Sequence, residues 1–276
     1  MHILGQFCNL VGNGTVYGRG VHAVKMHLYA SYTSMSKNCQ LTQKRSKSSV
    51  SSERWLRRQK DDPHTKEAKK QHYRSRAAYK LIELDHKFLL FKRNTLRIVD
   101  LGFAPGAWTQ VAMQRMTQLG QKPKILGVDI IPSTPPEGAQ FLHGDIFSRK
   151  THQEIQDNFP DNEVDLVMSD MMANTLGIKD NDHLASMELC EGALMLAGST
   201  LRRNGALVMK FYTGREERQL EEKCRKMFKK VHRMKPSACR SELREMYFVC
   251  LGRSKELDNH KQLGSSSKNN EGCLSK

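Results

Sequence analysis

Apolar residues recur along the middle of the chain in two patterns, short β-branched runs and longer stretches with helical spacing. The short runs predict strands. They lie at residues 97–101, 124–130, 139–142, 164–169, 205–211, 229–234 and 245–252. The longer stretches repeat an apolar residue every three or four positions, which predicts helices between the strands. These helices lie at residues 76–88, 106–119, 150–158, 182–203 and 216–228.

The order of these elements predicts an α/β fold. Strands that alternate with helices form a mostly parallel sheet that is covered on both faces. The connection before the last strand is too short for a helical crossover, so we expect this strand to be antiparallel to its neighbour. The prediction is therefore a Rossmann-like, seven-stranded sheet with helices on both faces and an antiparallel last strand.

The turn between the first strand and the next helix is the most informative stretch. The run at 97–101 includes Asp100, and Gly102 and the pair Pro105-Gly106 follow it. Such a turn exposes backbone N–H groups beside the positive end of a helix dipole, and glycines let a ligand approach the backbone. Pro105 suits the first helical position, where no N–H donor is needed. Taken alone, the turn fits a ligand site and an ordinary strand-to-helix connection equally well.

Charged residues also stand at the ends of successive predicted strands. They are Asp100, Asp129, Asp145, Asp170 and Lys210. The carboxyl ends of parallel strands share one edge of the sheet, and ligands of such sheets bind outside that edge. We therefore expect these side chains to converge at one site.

The spacing of the glycines narrows the choice of ligand. The pattern Gly102-x-x-x-Gly106 is neither the dinucleotide-binding fingerprint nor a P-loop. An acid that ends the second strand, here Asp129, is the usual acceptor for a ribose diol, although it could also be a plain strand-end acid. A nucleoside cofactor without phosphates fits both observations, and S-adenosylmethionine is the obvious one. Asp145 could hold the adenine amino group, but an acid in a Gly-Asp turn is equally common without a ligand.

Composition indicates a globular protein with one sizeable core, since the 276 residues are 38% hydrophobic. No apolar run approaches the roughly 20 residues that span a bilayer, so we expect no membrane insertion. The seven cysteines form no Cys-x-x-Cys pair and the eleven histidines are dispersed. This distribution predicts a reducing compartment and no metal site.

Positive charge is concentrated before the predicted sheet, because the chain carries +16 but residues 81–252 carry only +2. Residues 1–52 contain no Asp or Glu, which is typical of a mitochondrial presequence, with a disordered basic tail as the alternative. Residues 53–75 form a basic arm, which indicates a polyanion partner, most simply nucleic acid, or else a plain solvated surface. We expect the folded domain at 76–252 and a disordered tail at 253–276.

Six motifs, in this order, resemble the FtsJ family of S-adenosylmethionine-dependent RNA ribose 2′-O-methyltransferases, over residues 54–253. The motifs are Arg74-Ser75-Arg76-Ala77-Ala78-Tyr79-Lys80-Leu81, Asp100-Leu101-Gly102 through Trp108, Gly127-Val128-Asp129, Ser169-Asp170-Met171, Val208-Met209-Lys210, and Lys235-Pro236 through Arg240 to Arg244-Glu245-Met246-Tyr247. The resemblance implies the methyltransferase version of the Rossmann-like fold. One departure is that the family usually has Ser-Asp-Met-Ala-Pro-Asn where residues 169–174 read Ser-Asp-Met-Met-Ala-Asn.

The resemblance also implies the site residues. The family's catalytic tetrad corresponds to Lys80, Asp170, Lys210 and Glu245. We expect S-adenosylmethionine to be held by the glycine turn and the neighbouring strand ends. These cofactor residues are Gly102, Pro105, Gly106, Ala107, Trp108, Asp129, Asp145, Ile146 and Asp170. For Trp108, packing of a helix on the sheet is an equal alternative to a cofactor contact.

Cations of the arm and those beside the last strand are the candidates for RNA binding, because phosphate contacts supply affinity. They are Arg54, Arg57, Arg58, Lys69, Lys70, Arg74, Arg76, Arg240 and Arg244. The segments Trp55–Arg58, Asp62-Pro63 and Lys66–Lys69 resemble the fungal-type mitochondrial members, which modify a uridine of large-subunit ribosomal RNA. We expect a monomer in the mitochondrial matrix whose partner is ribosomal RNA or a precursor of the large ribosomal subunit.

Two other functions remain open. One is a ribose methyltransferase of tRNA or of the mRNA cap, although the chain leaves little room for a guanine-binding domain. The other is a ribosome-assembly factor that binds RNA with weak or no catalysis. The complete tetrad argues against the assembly factor, whereas the altered loop after Asp170 leaves it open.

Lys210 is the candidate general base, because a ribose 2′-hydroxyl is a poor nucleophile until its proton is removed. Burial, a sulfonium and nearby Lys80 would favour the neutral amine that a base requires. Asp170 and Glu245 would favour the ammonium form, so we expect them to orient the two lysines. Taken singly, each residue also has an ordinary structural role, such as a solvated strand end or a helix cap.

Overall fold

The computed structural model describes residues 62–160, 163–173, 177–240 and 243–254. The expected presequence lies outside the described residues, and so do Arg54, Arg57 and Arg58 of the arm and nearly all of the expected tail. None of the helices in the described ranges combines the length and the apolarity needed to cross a bilayer.

Six helices occur within the described residues, most of them with one apolar side against the sheet. They are α1 (Pro63–Lys70), α2 (Ala77–Phe88), α3 (Ala107–Gln118), α4 (Arg149–Asn158), α5 (Lys179–Thr200) and α6 (Glu217–Met227). The five helices predicted from apolar spacing are confirmed to within a few residues, and α1 is an addition.

The strands alternate with these helices as predicted. They are β1 (Arg97–Leu101), β2 (Lys124–Asp129), β3 (Gln140–His143), β4 (Val164–Ser169), β5 (Leu201–Tyr212), β6 (Phe228–Met234) and β7 (Glu245–Arg253). They form one sheet in the order β3-β2-β1-β4-β5-β7-β6. The neighbouring pairs β3-β2, β2-β1, β1-β4 and β4-β5 are parallel. Strand β7 runs antiparallel to both β5 and β6. The predicted antiparallel last strand is thus confirmed.

Each face of the sheet is covered by a separate apolar layer. Leu81 and Leu84 of α2 pack with Trp108 of α3 on one face, and all three are buried. Residues of α4, α5 and α6 cover the other face, among them Ile155 and Leu220. Full burial of one such leucine contributes about 2 kcal/mol, so these layers fix the positions of α2 and of the strand ends that carry the site.

Three sequence expectations need correction. The first concerns the arm at 53–75, for which no helix was predicted. Helix α1 starts at Pro63, since the Asp62 carboxylate accepts a hydrogen bond from the Thr65 N–H and Pro63 occupies the first turn. Pro105 is not the first helical residue, because α3 begins at Ala107 with Gly106 as its N-cap.

The third correction concerns β5, which begins at Leu201 and not at residue 205. The sequence obscured this start because the polar residues Arg202, Arg203 and Asn204 interrupt the apolar pattern. A register shift between Val164 and Leu166 of β4 accommodates this irregular beginning.

Candidate active site

The glycine turn lies between β1 and α3, where the backbone conformation requires glycine. Gly102 and Gly106 have φ angles of 72° and 98°, a region that L side chains rarely adopt. A Cβ on Gly102 would lie 2.8 Å from the backbone N of Met171. The turn is therefore in direct contact with the loop that follows Asp170.

Asp100, at the end of β1, has an incompletely satisfied carboxylate beneath this turn. Its Oδ2 accepts a hydrogen bond of 2.7 Å from the Thr109 hydroxyl, whereas its buried Oδ1 has no hydrogen-bond partner among the described residues. Burial raises the pKa of Asp100 to about 7, and the Thr109 hydrogen bond opposes only part of that rise. A ligand that brings a cationic donor to the turn would satisfy this oxygen.

Asp129 ends β2 beside the same turn, and two backbone N–H groups fix its carboxylate. The Ala104 N–H donates to Oδ2 at 2.8 Å and the Ile131 N–H donates to Oδ1 at 2.9 Å. Each carboxylate oxygen can accept a further hydrogen bond. The position and the remaining acceptor capacity suit a ribose diol.

The other cofactor candidates have clear structural contacts of their own. The Asp145 carboxylate accepts a hydrogen bond from the Phe147 N–H at 2.9 Å, as in an ordinary Asp turn. Ile146 and Ala107 are buried. The Trp108 indole N–H donates to the Ala77 carbonyl at 2.9 Å, so this ring joins α3 to α2. Cofactor contacts by these residues stay predictions.

The four tetrad residues meet at the carboxyl edge of the sheet. Lys80 Nζ lies 3.0 Å from Glu245 Oε2. Lys210 Nζ lies 2.7 Å from the Asp170 carbonyl oxygen and 3.2 Å from Asp170 Oδ1. At least four-fifths of each of these side chains is buried. The structure thus brings together two cations and two anions that the sequence distributes over 166 residues.

The antiparallel pairing of β5 with β7 accounts for this convergence. Lys210 pairs with Tyr247, and Tyr212 pairs with Glu245. Because side chains alternate along a strand, these four residues lie on one face of the sheet. A one-residue shift of β7 would turn Glu245 to the other face.

Helix α2 supplies the remaining lysine and is tied to the segment before β7. The Glu83 carboxylate accepts hydrogen bonds from the N–H groups of Ser237 and Ala238, at 2.6 and 2.9 Å. Arg76 in turn donates to the Ala238 carbonyl. These contacts hold the start of α2 beside β7, where Lys80 reaches Glu245.

Tyr247 is the fifth member of the cluster. Its hydroxyl donates a 2.6 Å hydrogen bond to Asp170 Oδ1, and burial raises its pKa well above the usual range. The sequence motif contained Tyr247 but assigned it no role. The sequence could have predicted a role for Tyr247 from its position two residues after Glu245, since alternate residues of a strand lie on the same face.

Charges within the cluster stabilise one another. Burial lowers the pKa of Lys80, but the carboxylates of Asp170 and Glu245 more than reverse this, and the net pKa is raised. Burial likewise raises the pKa of Asp170, but Lys210, Lys80 and the Tyr247 hydroxyl lower it to a net value below the ordinary one. The geometry pairs Lys80 with Glu245 and Lys210 with Asp170.

The loop with the unusual sequence lies beside this cluster. The Met172 side chain is 60% exposed, and its sulfur lies 3.1 Å from the Tyr212 hydroxyl. Residues 174–176 of the loop lie outside the described residues. Within the ranges that are described, no three His, Cys, Asp or Glu side chains cluster as metal ligands would.

The candidate RNA-binding arginines that the structure describes have internal partners. Arg74 donates to the Pro105 carbonyl at 2.9 Å, and Arg244 donates to the Thr213 carbonyl. Arg76 and Arg240 both approach the Asp62 carboxylate. Exposed Lys69 and Lys70 belong to the last turn of α1. The structure gives the four arginines a structural role, and RNA contact by all these residues stays a prediction.

Comparisons with known proteins agree with this architecture. The model of the family described as FtsJ-like methyltransferase matches residues 73–253. The ribosomal RNA large subunit methyltransferase E of Rickettsia akari is 41% identical over 75% of this chain and 91% of its own length. The mitochondrial rRNA methyltransferase 2 of Saccharomyces cerevisiae is 34% identical over 76% of this chain and 90% of its own length.

One solved structure has the same fold. A crystal structure from Plasmodium falciparum, assigned as a ribosomal RNA methyltransferase, superposes with a TM-score of 0.60 at 34% identity. The superposition covers 66% of this chain and 98% of that protein. The Rossmann-like fold predicted from the order of the elements is thereby confirmed.

Proposed function

Because this chain belongs to the FtsJ-like methyltransferase family, we propose that it methylates the 2′-hydroxyl of a uridine in mitochondrial large-subunit ribosomal RNA. The observation that carries the proposal is the buried cluster of Lys80, Asp170, Lys210, Glu245 and Tyr247 beside the glycine turn. The names of the Rickettsia and yeast relatives support ribosomal RNA as the substrate.

The residues around the turn fit S-adenosylmethionine. Gly102 and Gly106 give the turn its left-handed backbone, and the Asp129 carboxylate beside the turn is oriented for the ribose diol. The unpartnered Asp100 oxygen suits the ammonium of the methionine part. When bound, this cofactor supplies an electrophilic methyl group and a positive charge on its sulfur. No phosphate-binding motif is needed for such a ligand.

Lys210 is the base in the proposed reaction. Its amine would take the proton from the ribose 2′-hydroxyl, and the oxygen would then accept the methyl group that the bound cofactor would supply. Only 6% of the Lys210 side chain is exposed, so little bulk water competes with the hydroxyl for its amine.

The other members of the cluster position these groups. The Asp170 carbonyl and carboxylate hold Lys210 Nζ in place, and Tyr247 fixes the carboxylate. Lys80, whose raised pKa keeps it protonated, is held by Glu245 and can donate to the ribose oxygen. Together they hold the hydroxyl and the base in one geometry, and such positioning commonly accounts for much of a catalysed rate.

The direct test uses purified protein, S-adenosylmethionine and transcribed large-subunit ribosomal RNA, followed by nucleoside mass spectrometry. We expect 2′-O-methyluridine at a single position. A methyl group on a base, or on the ribose of another nucleotide, would contradict the uridine assignment. Methylation of tRNA in preference to ribosomal RNA would favour the alternative RNA substrate.

A mitochondrial location rests on two observations. Residues 1–52 are basic and contain no acid, and the yeast relative carries a mitochondrial name. We expect residues 1–52 fused to a fluorescent protein to enter the mitochondrial matrix. A fusion that remains in the cytosol would contradict this location without affecting the proposed chemistry.

A further inference from the structure

A second candidate site lies at the amino edge of the sheet, opposite the edge that carries the tetrad. A cavity of about 260 Å³ opens there between the segment after α2, the start of β5 and the end of β7. Its polar and charged lining residues are Lys92, Asn94, Thr95, Asp165, Arg202 and Asn204. None of these residues has a part in the methyl-transfer site described above.

The backbone around this cavity is unusual. Leu89, Asn204 and Gly252 all line the cavity and have φ angles of 52°, 63° and 73°. A left-handed conformation is disfavoured for a leucine by roughly 1–2 kcal/mol, and the Leu89 side chain is 63% exposed. Glycine and asparagine tolerate this conformation, whereas Leu89 adopts it as the C-cap of α2. Leu89 thereby presents an apolar side chain at the rim of a polar cavity.

The charge around the cavity is strongly positive. Lys92 lines the cavity, and Arg93 and Arg203 are chain neighbours of the lining residues Lys92, Arg202 and Asn204. These three cations, Lys92, Arg93 and Arg203, are exposed and have no carboxylate partner among the described residues. The stem of Lys229 packs against Gly252, and its ammonium donates to Asn204 Oδ1 at 2.9 Å, a neutral partner.

The acid in the cavity does not offset this charge. Asp165 is buried, accepts hydrogen bonds from the N–H groups of Leu96 and Arg97 at 2.7 Å, and pairs with Arg202. Its charge is therefore already neutralised by protein groups. The exposed cations at the rim remain available for an external anion.

We propose that this cavity is a second RNA-binding site, in which the rim cations contact phosphates and Leu89 contacts an unstacked base. A volume of about 260 Å³ lies below the roughly 300–1,000 Å³ of drug-sized pockets, so the cavity suits one small group of a longer ligand. Clustered cations beside an exposed apolar side chain match the needs of single-stranded RNA, whose phosphates and base faces are both accessible. The choice of RNA as the ligand rests on the proposed function.

The geometry indicates that this nucleotide is not the methylated one. Asn204 and Lys210 lie six residues apart on β5, which corresponds to roughly 20 Å along a strand. One large folded RNA can reach both edges of the sheet, whereas a short oligonucleotide in the tetrad site cannot. The cavity would therefore contribute to recognition of the RNA, not to chemistry.

The test compares two double variants in the full-length protein. Lys92→Glu/Lys229→Glu reverses two exposed rim cations, since Lys92 lines the cavity and Lys229 contacts Asn204 and Gly252, which also line it. Lys150→Glu/Arg218→Glu makes the same change in net charge with side chains that are 85% and 89% exposed and do not line the cavity. Binding of transcribed large-subunit ribosomal RNA is measured without cofactor over a range of salt concentrations.

We expect the rim variant to lose about tenfold or more in RNA affinity and to show a salt slope smaller by roughly 1.4, equivalent to two phosphate contacts. The control should differ little from the wild type, and both variants should methylate a short target oligonucleotide at the wild-type rate. Equal affinities and slopes in the rim variant and the wild type would overturn the second site, and so would an equal loss in the control.

These outcomes are independent of the proposed reaction. A wild-type protein that binds RNA through the rim but methylates no uridine would contradict the proposed function and leave the second site intact. A wild-type protein that methylates uridine, together with an unaffected rim variant, would remove only the second site.

Discussion

Lys80 and Glu245 lie 165 residues apart in the sequence, yet Lys80 Nζ lies 3.0 Å from Glu245 Oε2 in the folded protein. Both side chains are largely buried. The pair joins the first turns of helix α2 to the start of strand β7, and Glu245 shares a face of the sheet with Lys210. It therefore connects the stability of the fold to the geometry of the reaction.

Loss of the Glu245 carboxylate should destabilise the protein. Glu245→Ala leaves the Lys80 ammonium buried without its partner, and such a change typically destabilises by about 3–5 kcal/mol. Chemical denaturation at neutral pH would measure the effect. Glu222→Ala is the control, because Glu222 is exposed and approaches Arg218 only at 3.9 Å. Equal stabilities of the two variants would contradict a structural role for the pair.

The Tyr247 hydroxyl should extend the stability of the protein toward acid pH. Its hydrogen bond helps Lys210 and Lys80 to lower the pKa of Asp170, against the effect of burial. A depressed pKa means that ionised Asp170 contributes stability above its unfolded pKa, and this contribution disappears as the pH falls through the folded value. In Tyr247→Phe the loss of stability should therefore begin at a higher pH, which acid-denaturation curves of the variant and the wild type would measure. Superimposable acid transitions would contradict this role.

Asp100 should make the protein less stable as the pH rises. Its folded pKa of about 7 lies above the usual value of about 3.9. Its contribution to stability is therefore complete below pH ~4 and is lost as the pH rises through 7, by about 4 kcal/mol at most. Asp100→Asn should remove this dependence, so thermal melts without cofactor should show a stabilisation of the variant that grows from pH 5 to pH 8. A constant difference over this range would contradict the assignment.

Asp129 should contribute to cofactor affinity. A hydrogen bond to a charged group contributes about 1.5–3 kcal/mol, so Asp129→Ala should weaken binding of S-adenosylmethionine by roughly 10- to 100-fold. Isothermal titration calorimetry measures this directly. Asp157→Ala on α4 is a matched control, because among the described residues that carboxylate hydrogen-bonds only to Gln153 of its own helix. Unchanged affinity in Asp129→Ala would remove this residue from the site.

Much of the site could be predicted because parallel strands place their ends at one edge. This rule predicts Asp100, Asp129 and Lys210 as site residues from the sequence alone. The complete tetrad does not follow from the rule, because only the resemblance of the ordered motifs to the family connects Lys80 and Glu245 with Asp170 and Lys210. The pairing of β5 with β7 then explains why residues so distant in sequence meet.

Other features depend on contacts that a linear pattern does not contain. The hydrogen bond of Tyr247 to Asp170 and the unpartnered oxygen of Asp100 appear only when the strands are assembled. The internal partners of Arg74 and Arg244 are backbone carbonyls, which every residue possesses and which no sequence pattern identifies. Charge along the chain indicated an anionic partner, but it could not distinguish structural arginines from those free to bind.

The most direct measurement is single-turnover methyl transfer by Lys210→Ala on ribosomal RNA, together with the affinity of the variant for S-adenosylmethionine. If Lys210 is the general base, the rate should fall by at least about 100-fold, while the cofactor affinity stays close to that of the wild type. A variant that binds the cofactor normally and still methylates the 2′-hydroxyl at a rate near that of the wild type would contradict the account.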